Sequence, residues 1–104
     1  MSNPKIAVPT IHMGGSNAES LKREYMQAYH DARVLLKSLE AIELHARDYY
    51  VHPDPEAFEL ARNQSSARYV SVLNIRKELE TIIFAIQEQQ NERTNVANGS
   101  SKRR

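Results

Sequence analysis

Apolar residues recur at alternating steps of four and three along two stretches of this chain. Leu21, Tyr25, Ala28, Ala32, Leu35, Leu39 and Ile42 make the first row, and Phe58, Ala61, Val72, Ile75, Leu79, Ile82 and Ile86 keep the same rhythm in the second. Such spacing places one apolar stripe along each of two helices, in the manner of a coiled-coil seam. Between the rows lies Asp48-Tyr49-Tyr50-Val51-His52-Pro53-Asp54-Pro55, where two prolines stop a helix from running through. The expected fold is therefore all-α, an antiparallel helical hairpin of two long helices with an extended N-terminal arm, assembling into a helical bundle.

Local signals place the boundaries. Residues 1–15 combine Ile6, Val8 and Ile11 with Pro9 and Gly14-Gly15, a composition that suits an extended arm ending in a flexible corner. Ser16 stands three residues before Glu19, the spacing of a capping box, so helix one is expected from about 17 to 47. At 1.5 Å per residue its length is roughly 45 Å. After a bend at 48–54, Asp54 before Pro55 repeats the start signal, and helix two is expected from about 55 to 92. The hairpin thus spans 16–92. The polar, glycine-containing stretch 93–104 reads as a disordered tail.

Matching the two stripes pairs positions whose numbers total about 100, a sum read off the rows themselves: Ile42 with Phe58, Leu39 with Ala61, Tyr25 with Ile75 and Leu21 with Leu79. In the middle the match fails, because Ser65 and Arg68 fall opposite Leu35 and Ala32. An arginine buried there without a partner would be costly. Arg68 is expected to snorkel outward or to pair with Asp31 or Glu24, the alternative being a polar pocket in which it awaits an anion.

Both helices carry more apolar surface than one partner needs. Tyr69, Leu73, Ile83 and Phe84 flank the stripe of helix two, and Met26, Tyr29, Val34 and Leu36 flank that of helix one. Self-association into a dimer or larger, most simply two hairpins forming four helices, follows as an expectation. The arm could instead fold over part of the surplus with Ile6, Val8 and Ile11.

At 104 residues the chain offers one domain. It has 14 Lys and Arg against 13 Asp and Glu, and Lys102, Arg103 and Arg104 supply three of the positives, leaving 11 against 13 elsewhere. Such a balance disfavours nucleic acid as a partner, since three terminal basic residues make few phosphate contacts. Absence of cysteine excludes disulfides and thiolate chemistry. Ile6-Ala7-Val8 is too short for a signal-peptide core and no run approaches a membrane span, so a cytoplasmic protein is expected.

Candidate chemistry lies in three places. The bend gathers His45, Arg47, Asp48, Tyr49, Tyr50 and His52, where a guanidinium could fork onto an oxyanion and a tyrosine ring could stack on a base. Against this, a tyrosine could plug the end of the bundle while Arg47 caps helix one or pairs with Asp48. The corner Thr10-Ile11-His12-Met13-Gly14-Gly15-Ser16 leads into a helix N-terminus, where free amides favour an anion, though it lacks the lysine and spacing of a Walker loop. Along helix one, Tyr25, Tyr29 and Arg33 share a face, as solvated helix surfaces do. The histidines at 12, 30, 45 and 52 lack the four-residue spacing of a helical metal site, and no serine or threonine sits in a nucleophile elbow. Neither catalysis, a metal nor a cofactor is expected. The candidate ligand-binding set is Thr10, His12, Gly14, Ser16, Arg47, Asp48, Tyr49, Tyr50 and Arg68.

Val8-Pro9-Thr10-Ile11-His12-Met13-Gly14-Gly15-Ser16, with Arg47-Asp48-Tyr49-Tyr50 farther on, resembles a group of small phage and prophage proteins. The chain departs from them at Gly14, where they carry asparagine. Asp54-Pro55 with Ala61-Arg62 is similar, more faintly, to the second helix of helical-hairpin phage sponges that sequester cyclic nucleotide immune signals. These resemblances imply a phage origin, a place in the host cytoplasm and an oligomeric binding protein, with anti-defence sequestration of a nucleotide as one expectation. The other is a non-catalytic interaction or structural protein that binds a host or virion partner.

Overall fold

The computed structural model describes residues 5–97. Two long helices pack against each other: α1, Ala18–Ala41, and α2, Ala57–Ala97. A short 3-10 helix, Ala46–Tyr49, lies in the connection, and no strand occurs among the described residues. Residues 5–17 form an extended arm with a turn at 13–15. The chain divides into two compact units, one of Met1–Tyr29 with Lys77–Arg104 and one of His30–Arg76.

In the unit of His30–Arg76, the Tyr69 hydroxyl donates to Glu40 Oε2 at 2.8 Å, which fixes the pairing of α1 with α2. In the other unit, Lys22 Nζ donates to Gln87 Oε1 at 2.7 Å and to Gln90 Oε1 at 3.0 Å, and Gln90 Nε2 donates to Glu19 Oε1 at 3.0 Å. Glu40 with Tyr69, Lys22 with Gln87 and Glu19 with Gln90 each total 109 in residue number, not the 100 that the apolar rows suggest. The shift follows from an asymmetric connection. Helix one stops at Ala41 rather than near 47, helix two starts at Ala57 rather than 55, and the bend widens from 48–54 to 42–56. Nor does helix two end at 92: it continues through Ala97, which removes 93–97 from the expected tail, while 98–104 lies outside the described residues.

Leu44 and Tyr49 explain the early stop of α1. Continued as a helix at roughly 100° per residue, they would point about 140° apart. Released from the helix, both line one cleft beside the first turns of α2. Tertiary packing here overrides the helix propensity of Glu43 to Ala46.

Rotation of α1 is the second correction. Leu36 is buried, with Leu21, Lys22, Tyr25, Tyr29, Ala32 and Leu39 half-buried, whereas Ala28, Leu35 and Ile42 are exposed. A second four-three row, 18, 22, 25, 29, 32, 36 and 39, shares three positions with the expected one, and it is this row that faces α2. On α2, Tyr69 takes the half-buried position expected of Arg68, and Ile75 lies open at 52% exposure.

Start signals act one or two residues from their expected places. Asn17, not Ser16, caps α1: its Oδ1 accepts the Ser20 amide at 3.1 Å. Glu19 is thereby left to the network with Gln90 and Lys22, and those two partners hold its carboxyl below the usual value of 4.5. The carboxylate's contribution to folding is present above that value and fades as the pH falls through the lowered one. At α2, the Asp54 carboxylate accepts the Glu56 amide at 3.0 Å and its carbonyl accepts the Ala57 amide, so Asp54 does initiate the helix, through one preceding turn.

Gln89 anchors the arm. Its Oε1 accepts the Ile11 amide and its Nε2 donates to the Pro9 carbonyl, both at 2.8 Å, so one side-chain amide meets a backbone donor and acceptor as a neighbouring strand would. Arg93 Nη1 adds a bond to the Ile11 carbonyl at 3.1 Å. Ile86 stands on the same face of α2 as Gln89 and Arg93 and is fully buried at 0% exposure. The arm is thus held on the face of α2 that carries Ile86, a residue of the expected stripe, while the flanking Phe84 stays open at 63% exposure.

Replacing Gln89 by Ala removes both backbone bonds and is expected to destabilise the fold by about 1–2 kcal/mol. Hydrogen exchange should show the Ile11 amide losing protection while the α1 interior keeps its own. At alkaline pH the Tyr69–Glu40 bond has a distinct signature, because accepting carboxylate, burial and its negative charge raise the Tyr69 phenol above the usual 10.0. Its contribution is complete below 10.0 and lost as the pH rises through the elevated value. Ultraviolet titration of Glu40→Gln should show one tyrosine ionising earlier than in the parent, with a smaller alkaline loss of stability.

Candidate functional site

The bend is built in steps from Ala41. The Ile42 amide bonds to the Leu39 carbonyl at 3.2 Å, tightening the last turn of α1. The Asp48 amide then bonds to the His45 carbonyl at 3.0 Å and the His52 amide to the Tyr49 carbonyl at 3.2 Å. His52 Nδ1 accepts the Asp54 amide at 2.9 Å, which joins the bend to the start of α2.

Only part of the sequence-derived set converges. Tyr49 is half-buried against Phe58, with ring centroids 5.7 Å apart and planes tilted by 47°, and the guanidinium of Arg62 lies 5.8 Å from the same Phe58 ring. Tyr49 is thus a packing residue that closes the bend. Tyr50 points away at 77% exposure, and Arg47 and Asp48 are exposed in the 3-10 helix. Arg47 lies beyond the end of α1 and so does not occupy its final turn.

Arg68 comes together with the bend. A cleft of about 300 Å³ between the connection and the first turns of α2 is lined by Tyr49, His52, Asp54 and Arg68, over walls that include Leu39 and Leu60. Sequence reasoning named His52 at the bend and Ser65 with Arg68 as a polar break in the apolar row but left both His52 and Ser65 out of the candidate set, and it missed Gln64, which looks like an ordinary solvated helix position. Arg68 is exposed, in line with the expected outward snorkelling, and makes no hydrogen bond or ion pair among the described residues.

Thr10, His12, Gly14 and Ser16 belong to the other unit, and all four are exposed. The Gly15 amide bonds to the His12 carbonyl at 3.1 Å, closing a turn in which the imidazole lies over Gly15. A Cβ at Gly15 would meet His12 Nε2 at 2.8 Å, so the missing side chain there is what lets the ring sit close. With Asn17 capping α1 and Arg93 held by the Ile11 carbonyl, the corner is accounted for as the arm's connection to the helix. The candidate set is therefore divided between the two units: Tyr49 and Arg68 share a cleft in one, and the glycine corner stands in the other. Among the described residues no group of three or more His, Asp or Glu could hold a metal, and no helix is long and apolar enough to cross a membrane.

Tyr49→Ala should cost about 2 kcal/mol through lost aromatic packing, whereas Tyr50→Ala should change stability by less than about 0.5 kcal/mol. Thermal melts of the two variants separate these outcomes. Comparison of the chain with protein families, with curated proteins and with solved structures finds no match in any of the three.

Proposed function

We propose that this chain is a non-catalytic interaction protein that acts as an assembly of hairpins and engages a host or virion partner. One observation carries the reading: the seven-residue repeat made by Ala28 and Leu35 on α1 and Ile42 just past its end faces solvent. Leu35 is 46% and Ile42 58% exposed. The register of 109 puts Leu35 opposite Asn74, one residue from Ile75 in the unit of His30–Arg76, and both large aliphatic side chains are open, at 46% and 52% exposure. Against them, the large apolar side chains buried in that unit reduce to Leu36.

A second copy suits this flank because its repeat is that of a coiled coil, whose knobs fit holes of like spacing. The resemblance of Val8 to Ser16 and Arg47 to Tyr50 to phage and prophage proteins supports a phage origin and hence a host or virion partner. Sequestration of a nucleotide signal is the weaker reading, since each unit holds only part of the residues it would use.

Sedimentation at micromolar concentration should give at least twice the monomer mass. The double variant Leu35→Ser with Ile75→Ser should sediment as a monomer while keeping its helical circular dichroism. A parent chain that stays monomeric at every concentration would remove the proposal.

A further inference from the structure

The cleft at the bend holds more hydrogen-bond donors than its own acceptors use. Arg68 lines the cleft and makes no hydrogen bond or ion pair among the described residues. Because His52 Nδ1 accepts the Asp54 amide, the neutral ring carries its proton on Nε2 and presents a donor there. Tyr49 contributes a ring held against Phe58, and its hydroxyl has no protein partner among the described residues. Ser65 and Gln64 add a hydroxyl and an amide to the lining. The opposing charge is one carboxylate, Asp54, whose Oδ1 already accepts the Glu56 amide.

Arg68 also interrupts an apolar repeat. Positions 61, 68, 75 and 82 step by seven along α2 and carry Ala, Arg, Ile and Ile. Opposite Arg68 in the register stands Ala41, the last residue of α1, and Ile42 just beyond it borders the cleft together with Arg68. An aliphatic residue at 68 would extend the apolar flank, so the arginine gives up packing area and places a planar, permanently charged fork beside apolar walls. Leu39, Ile42 and Leu60 make those walls. The volume, about 300 Å³, is at the small end of the range for ligand pockets.

We infer that this cleft binds a small organic anion, its carboxylate or phosphate on Arg68 and its flat apolar body against Leu39, Ile42 and Leu60. The Nε2 proton of His52 and the Tyr49 hydroxyl supply further donors to the oxyanion. The inference is independent of self-association: Leu35 and Ile75 carry the proposed contact between copies, and Arg68 carries the ligand.

Nuclear magnetic resonance titration of the full chain with phenyl phosphate, inorganic phosphate and benzyl alcohol tests it. Phenyl phosphate should saturate and shift the amides of Ser65, Arg68 and Leu39, binding about tenfold or more tighter than either fragment, the scale of a charge-assisted hydrogen bond plus a buried ring. Benzoate in place of phenyl phosphate shows which oxyanion the site prefers, and saturable binding of either supports the inference. Arg68→Ala should weaken binding about tenfold or more with an unchanged melting temperature, and Arg68→Lys should recover part of the loss. Equal affinity for inorganic phosphate and phenyl phosphate, full binding by Arg68→Ala, or shifts confined to the glycine corner would each overturn it, as would the absence of saturable binding by both aryl anions.

Discussion

The two helices are of unequal length, 24 residues in α1 and 41 in α2, and α2 cannot be covered by α1 alone. With a register of 109, Ala41 falls opposite Arg68, so the turns of α2 from Ala57 to Ala67 have no part of α1 beside them. The connection with its short 3-10 helix fills that place, with Tyr49 on Phe58. In the other unit, Ala18 falls opposite Asn91, and the arm continues along the α2 face from Gln89 to Arg93. Each overhang recruits an irregular segment because a helix face with exposed apolar residues gains by burial whatever backbone can reach it.

Irregular segments meet a helix differently from another helix. Their backbone amides and carbonyls lack internal partners and must find them across the contact. Gln89 answers that demand for the arm, bonding to a donor and an acceptor two residues apart. For the connection, the demand is met locally, by the Asp48 and His52 amides in successive turns and by His52 itself at the Asp54 amide. The connection therefore needs no side chain from α2 to hold its backbone, which leaves Gln64, Ser65 and Arg68 free to line a cleft.

Two helices, their antiparallel order and the punctuation by Pro53, Asp54 and Pro55 were legible in the sequence because they depend on local chemistry and on a repeat. The register was not. Leu35 and Leu36 are adjacent, so two four-three rows run through Tyr25, Ala32 and Leu39, and nothing within α1 separates them. The choice is made across the contact, where Lys22 reaches Gln87 and Gln90, and Glu40 meets Tyr69. Polar pairs of this kind add little stability at an exposed site, yet a misplaced register would leave each without its partner, which is how polar residues specify alignment. Of the candidate site, Arg68 was legible as a charge in an apolar row and Tyr49 as a plug. Their meeting was hidden, because it depends on where α1 stops.

Arg68 and the open flank follow from the same economy of burial. A hairpin whose buried apolar residues, among those described, are Leu36, Ala57 and Ile86 has little stability in reserve, and an aliphatic residue at 68, on the rung beside Ile42, would add to it. The chain instead keeps Leu35 and Ile75 apolar one rung away and places a charge at 68. On the readings proposed above, Leu35 and Ile75 would meet another hairpin and Arg68 an oxyanion. The two proposed contacts then lie on neighbouring positions of one repeat, near the place where α1 ends and the connection begins.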